Sequence, residues 1–196
     1  RGATFFAERP VVSYHPERSL PIEVRLPADA VRGTEATHLR YHLYDAAGRL
    51  VFERTAPLAD FITPTERGGL HALANPQLWW PKGLGKPYRY RACFELLEGE
   101  RGRVLDETQC AVGLRTIELV REPDKDGRSF FFRVNGQPLF AKGANYIPGT
   151  LLLPSRTEAD RKQLFDDVSS AHFNMLRVWG GGTYEEDAFY DEADAR

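Results

Sequence analysis

Apolar and polar residues alternate with a period of two through most of the first 119 positions, the signature of half-buried β-strands. Residues 20–26 set Ile22, Val24 and Leu26 on one face and Glu23 and Arg25 on the other. Residues 39–44 alternate again, and residues 50–54 follow the turn Asp45-Ala-Ala-Gly48, a hairpin with glycine available for a positive φ. Residues 88–97 form the longest apolar-rich run, and residues 104–112 return across Gly99–Gly102. Residues 4–14 carry Phe5, Phe6, Val11, Val12 and Tyr14 but are interrupted by Pro10, which suits an edge strand or a bend. Residues 69–74 are a further candidate. Short strands with turns about every ten residues predict an all-β, immunoglobulin-like sandwich over residues 1–118. No helix is readable in this part.

The period changes near Thr116. Residues 130–134 and 139–141 flank Asn135-Gly136, the strongest short-range hairpin signal, and the second arm reads as one strand through residue 147 to Pro148. A helix is predicted next, capped by Thr157 with Asp160 three positions on, and with Leu164, Phe165, Val168 and Ala171 on one face. Residues 174–179 mix branched apolar residues with Arg177 and are stopped by three glycines, as an interior strand of a parallel sheet would be. Thr183, with Glu186 as the reciprocal cap, is expected to open a last helix whose Phe189 and Ala193 face inward. The order β-α-β-α gives two consecutive units of a parallel α/β fold, too few to close a barrel of about 250 residues. Both ends of the chain read as interrupted patterns, so a piece of a longer protein is expected.

Composition narrows the function. The 26 basic and 28 acidic residues give a net charge of −2 with no basic stripe, so no nucleic-acid partner is expected. No apolar run reaches membrane-spanning length, and none has the form of a leader, so no membrane partner is expected. The two cysteines, Cys93 and Cys110, lack metal-ligand spacing, and with no histidine cluster neither a metal nor a cofactor is expected; a single bridge between them requires neighbouring strands. Few cysteines lean towards a reducing, cytoplasmic interior. Residues 75–87, NPQLWWPKGLGKP, form an irregular loop whose Trp79-Trp80 pair is expected to cap one end of the sandwich, the alternative being a platform for a sugar ring. Arg177 and Trp179 lie at the downstream end of a strand, where α/β barrels collect their active sites. They read either as a paired structural arginine and a core anchor, or as part of such a site.

Three stretches carry a family resemblance. FFFRVNGQPLFAKGANYIP, then NMLRVWGGGTYEEDAFYDEAD, and the loop NPQLWWPKGLGKPY leading to VGLRTIEL resemble glycoside hydrolase family 2, and within it the β-mannosidases. The resemblance is strong over residues 75–196 and only architectural before that; the RVWGGG run is what points to mannosidase. It implies an immunoglobulin-like domain over residues 1–118, followed over residues 119–196 by the first two βα units of a TIM barrel. The implied activity is retaining hydrolysis of terminal β-D-mannose from a β-mannoside oligosaccharide. A related exo-β-glycosidase, such as an exo-β-glucosaminidase, and a non-catalytic carbohydrate- or protein-binding sandwich module remain the alternatives.

The resemblance also assigns residues. Arg177 is similar to the arginine that orients the nucleophilic carboxylate, Trp179 to the tryptophan that walls the terminal mannose subsite, and Asn145 would stand beside them. Tyr146 falls where these enzymes often carry tryptophan. No catalytic residue is expected among residues 1–196, because the implied carboxylates belong to later barrel strands. Asp166, Asp167, Glu185, Glu186 and Asp187 read as helix surface and helix-start charges. The implied partners within the parent protein are an N-terminal jelly roll and the remaining barrel.

Overall fold

The computed structural model describes residues 3–6, 8–148, 157–182 and 184–196. The chain divides into two compact units, one of Arg1–Gln77 with Arg89–Leu114 and one of Leu78–Tyr88 with Arg115–Arg196.

The first unit is built on antiparallel pairing. Its four-stranded sheet runs in the order Leu50–Pro57, His38–Tyr44, Tyr90–Leu97, Val104–Val112. The period-two pattern does what it predicts: Leu39, Tyr41, Leu43, Ala92, Phe94 and Leu96 are buried, while Arg40, His42, Tyr44, Arg91, Cys93 and Glu95 lie on the other face. A three-stranded sheet of Val11–Tyr14, Ile22–Arg25 and Leu70–His71 supplies the facing layer through Ile22, Val24 and His71. The His71 ring lies 3.7 Å from Phe52 and 5.5 Å from Tyr41, which joins the two sheets in one interior. Each large apolar side chain removed from water here contributes about 1.5–3 kcal/mol.

Local chemistry fixes the turns. Gly48 takes φ 78°, and Asp45 Oδ1 accepts from the Ala47 and Arg49 amides at 2.9 Å each. These amides, with the Arg49 guanidinium, hold the buried Asp45 carboxyl below its ordinary pKa, the Arg49 amide acting most strongly. Two differences from the sequence reading appear. The strand expected over residues 69–74 is only Leu70–His71, and the one-turn helix Ala59–Ile62 inserts Phe61 into the core. Cys93 faces Gln109 and Cys110 faces Ala92 in the register, so the two thiols project from opposite faces of neighbouring strands and form no disulfide with each other.

The second unit starts with a three-stranded antiparallel sheet of Ile117–Val120, Phe131–Val134 and Gln137–Leu139, turned at Asn135 (φ 48°) and Gly136 (φ 78°). The arm read as one strand to residue 147 is broken. It leaves the hairpin after Leu139, exposes Phe140, and resumes as Gly143–Tyr146 in a different sheet, paired parallel to Met175–Val178. Asn174 secures that switch: its amide nitrogen donates to the Phe140 carbonyl and its oxygen accepts from the Lys142 amide. At Gly143 the strands come so close that an added Cβ would stand 1.8 Å from the Met175 carbonyl oxygen, so only glycine fits.

Helix Glu158–Ser170 lies between the parallel strands in sequence and begins with the expected capping box, Thr157 and Asp160 each bonding the other's backbone. Only Phe165 of its four expected inward residues is fully buried, and Ala171 is the exposed C-cap. The last helix is Asp187–Ala195 with Glu186 at its N-cap; the capping role expected of Thr183 lies outside the described residues. Phe189 is buried and meets Phe165 at 5.0 Å, whereas Ala193 is exposed.

The Leu78–Tyr88 loop overturns the expectation that Trp79 caps the sandwich. Its indole N–H donates to the Asp194 carbonyl (2.8 Å), with the Arg115 guanidinium 4.4 Å above the ring and bonded to Asp194 Oδ1. Lys82 donates to the Ser169 carbonyl, and Asn135 donates to the Trp79 carbonyl. The loop thus bonds end carbonyls of both long helices, and that of Asp194 is one its helix cannot pair within itself. Trp79→Phe keeps most of the ring and removes the donor, so it should lower stability by about 0.5–1.5 kcal/mol. Hydrogen exchange should locate the loss in the last turn of helix Asp187–Ala195, and unchanged exchange there would refute the clamp.

Candidate functional site

The parallel pair sets its own site geometry. Asn145 and Arg177 are register partners, so they emerge side by side on one face, and Arg177 Nη1 donates to Asn145 Oδ1 at 3.1 Å. The next positions turn the other way. Tyr146 stacks on Phe189 at 5.1 Å, and Leu176 and Val178 line an apolar cavity of about 160 Å³ together with Phe165 and Phe189. Asn145 and Arg177 therefore sit on the face turned from the helices, near the carboxyl ends of both strands.

Trp179 follows directly, its amide donating to the Tyr146 carbonyl at 2.9 Å. The indole is partly exposed and folds back over the glycine turn, where a Cβ on Gly181 would lie 2.3 Å from the ring. Asn145, Arg177 and Trp179 are thus brought to one rim, and the Asn135-Gly136 turn belongs to a separate sheet at the amino end of this segment. Tyr146 does not join them. Its ring is committed to Phe189, so it packs the helix layer and is not a wall of the rim.

Several acidic residues of this unit have structural roles. Asp166 is bonded by Arg196, which first among several causes holds its carboxyl below the usual range. Asp167 accepts from Gln163, and Glu186 and Asp187 occupy the start of a helix. Among the described residues no group of three His, Cys, Asp or Glu side chains is placed to hold a metal, and no helix is long and apolar enough to cross a membrane. The rim sets a guanidinium, hydrogen-bonded to an amide, beside an indole, groups that can donate to an anion and offer an apolar face.

Comparison with known proteins agrees on one family. The model of "Glycosyl hydrolases family 2" matches residues 14–115. β-Mannosidase B of Aspergillus flavus is 40% identical over 167 residues, 85% of this chain and 19% of the relative; that of Aspergillus fumigatus is 39% identical over 136 residues. The crystal structure of β-D-mannosidase from Dictyoglomus thermophilum superposes on 99% of this chain and 23% of its own, with a TM-score of 0.73 and 32% identity. A β-glucuronidase from Ruminococcus gnavus, at 21% identity and a TM-score of 0.65, shares the fold alone. The chain is a member of glycosyl hydrolases family 2, and it spans 14–19% of the length of the curated relatives it matches.

Proposed function

We propose that this chain is part of a retaining exo-β-mannosidase that removes terminal, non-reducing β-D-mannose. In this reading residues 1–118 are an immunoglobulin-like sandwich and residues 119–196 the N-terminal part of a (β/α)8 catalytic barrel. The observation that carries it is the Asn145–Arg177 hydrogen bond at the carboxyl ends of two parallel strands, with Trp179 beside it. The β-mannosidases among its relatives support the choice of sugar.

The chemistry asks for two carboxyl groups about 5–5.5 Å apart, one attacking the anomeric carbon and one protonating the departing oxygen and later activating water. Neither is among residues 1–196 in this reading, which draws on the small share of its relatives that the chain spans. Arg177 would bond the nucleophilic carboxylate. A guanidinium there favours the ionised form and aims its oxygens, and the Asn145 amide holds the guanidinium in place. Trp179 would offer an apolar face to the mannose ring.

The test is turnover by the longer protein that contains this chain. Aryl β-mannoside should be cleaved in preference to the β-galactoside, β-glucuronide and β-glucosaminide, and NMR should show β-mannose as the first product. Preference for another glycoside, or α-mannose appearing first, would refute the reading. Residues 1–196 alone should give no turnover, because an orienting arginine replaces neither acid/base nor nucleophile.

A further inference from the structure

The first unit carries a concavity unrelated to that rim. On the outward face of the four-stranded sheet the register lays out a grid of side chains. Arg40, Glu95 and Glu107 form one row; Glu53, His42, Cys93 and Gln109 the next; Tyr44 and Arg91 the third. A pocket of about 400 Å³ opens on this grid, lined by His42, Tyr44, Arg91, Cys93, Glu107 and Gln109 among others. That volume falls in the span of about 300–1,000 Å³ usual for small-molecule sites.

Most of its charges are already matched. Arg40 Nη1 donates to Glu95 Oε2 at 2.9 Å, and His42 Nε2 stands 2.8 Å from Glu53 Oε2. Arg91 lies 4.1 Å above the Tyr44 ring and donates to Cys93 Sγ at 3.0 Å. Glu107 is different. It faces Glu95 directly across the strands and has no ion-pair partner among the described residues. Gln109 lies two positions along the same strand and so on the same face, next to Cys93.

These features select a ligand. An anion would meet two lining carboxylates, Glu95 and Glu107, against the single guanidinium of Arg91. A metal ion lacks the necessary group of ligands among the described residues. An amine would gain only one exposed ion pair, a weak interaction. What fits is an uncharged molecule rich in hydroxyl groups, able to donate to Glu107, to donate and accept at Gln109, and to lay a C–H face near the rings of Tyr44 and His42.

We propose that this sheet face is an accessory site for a neutral saccharide, with Glu107 and Gln109 holding ring hydroxyls and Tyr44 and His42 forming the wall. It is independent of the barrel reading: its residues belong to the first unit and catalyse nothing. In the longer protein it would retain an oligosaccharide away from the site of hydrolysis.

The experiment is calorimetric titration of the 196-residue chain with β-1,4-mannobiose and cellobiose. Binding is expected at about millimolar affinity, a value typical of a few hydroxyl contacts, and should weaken at least tenfold in Glu107→Ala/Gln109→Ala. Trp179→Ala should leave it unchanged, which separates this site from the rim. Since both altered side chains are exposed, the fold should persist, and circular dichroism checks that. As a second readout, saturating disaccharide should slow alkylation of Cys93 severalfold in the unaltered chain. Absence of disaccharide binding, binding that the double variant retains, binding lost in Trp179→Ala, or binding of a diamine in place of sugar would each overturn the proposal. Loss of β-mannosidase activity in the longer protein would bear only on the proposed function.

Discussion

Arg177→Ala in the longer protein should lower kcat/KM for an aryl β-mannoside by about 10²–10³-fold, the size of effect seen when one preorganised donor is removed from an active site. Most of the loss should fall on kcat, because in the proposed role the guanidinium would act on the reacting carboxylate more than on the sugar. A second signature separates this role from a structural one. Without the cation, the carboxylate's pKa rises, so the acid limb of the pH–rate profile should move to higher pH. Asn145→Ala should move the limb the same way by less, since it removes only the bond that orients Arg177. An acid limb that stays in place in both variants would show that Arg177 does not face the nucleophile.

Stability of the first unit should fall by about 3 kcal/mol as the pH drops from about 6.5 to about 4, the worth of a 2.5-unit difference in one pKa. The group is His71. It is 1% exposed, wedged between Phe52 and Tyr41, and neither ring nitrogen has a hydrogen-bond partner of normal geometry. Burial first, then the Arg54 charge, pushes its pKa down from 6.5 to about 4, with the Ile22 backbone working weakly the other way. The facing Tyr41 phenol is pushed far up, chiefly by burial, and stays neutral.

The sign follows from which state binds the proton first. Below about 6.5 the unfolded chain protonates His71 while the folded chain does not, so the stability contributed by the neutral ring is complete above that pH. It is lost progressively on acidification and levels off below about 4. Urea midpoints across this range should show the slope in the unaltered chain and a shallower one in His71→Phe, the difference between the two isolating this residue. Coincident slopes would mean that the ring protonates freely in the folded state.

The first unit was the more legible because its information is local and repeated. Leu39, Tyr41 and Leu43 alternate with Arg40, His42 and Tyr44, and the same phase recurs at Ala92, Phe94 and Leu96, so which face is buried can be read without knowing the partner strand. Asn135-Gly136 and the Thr157–Asp160 pair are likewise complete within a few residues. The break at residues 140–142 was hidden because Leu139, Phe140 and Ala141 continue the apolar run, and Phe140 is exposed where the pattern implies burial. At the rim, the sequence held the residue types but not their register; the direct Asn145–Arg177 bond follows only once the strands pair across 32 positions. Trp79 was misread for a related reason: its acceptor is the backbone carbonyl of Asp194, and a carbonyl leaves no mark on the residue type that carries it.

That Trp79 bond has a consequence for how the chain emerges from the ribosome. The indole and its acceptor are 115 positions apart, so at about 5–20 residues per second the tryptophan waits roughly 6–23 s for Asp194 to be synthesised. During that interval the strands on either side of the loop, Leu70–His71 and Tyr90–Leu97, already have their own partners, Ile22–Arg25 and His38–Tyr44, and can close around it. The loop is then a sticky tether on an otherwise folded nascent domain, carrying Trp79 with no helix yet to receive it. Ribosome-bound chains stalled before residue 194 should accordingly be the ones that chaperones hold, with release timed to the completion of the last helix.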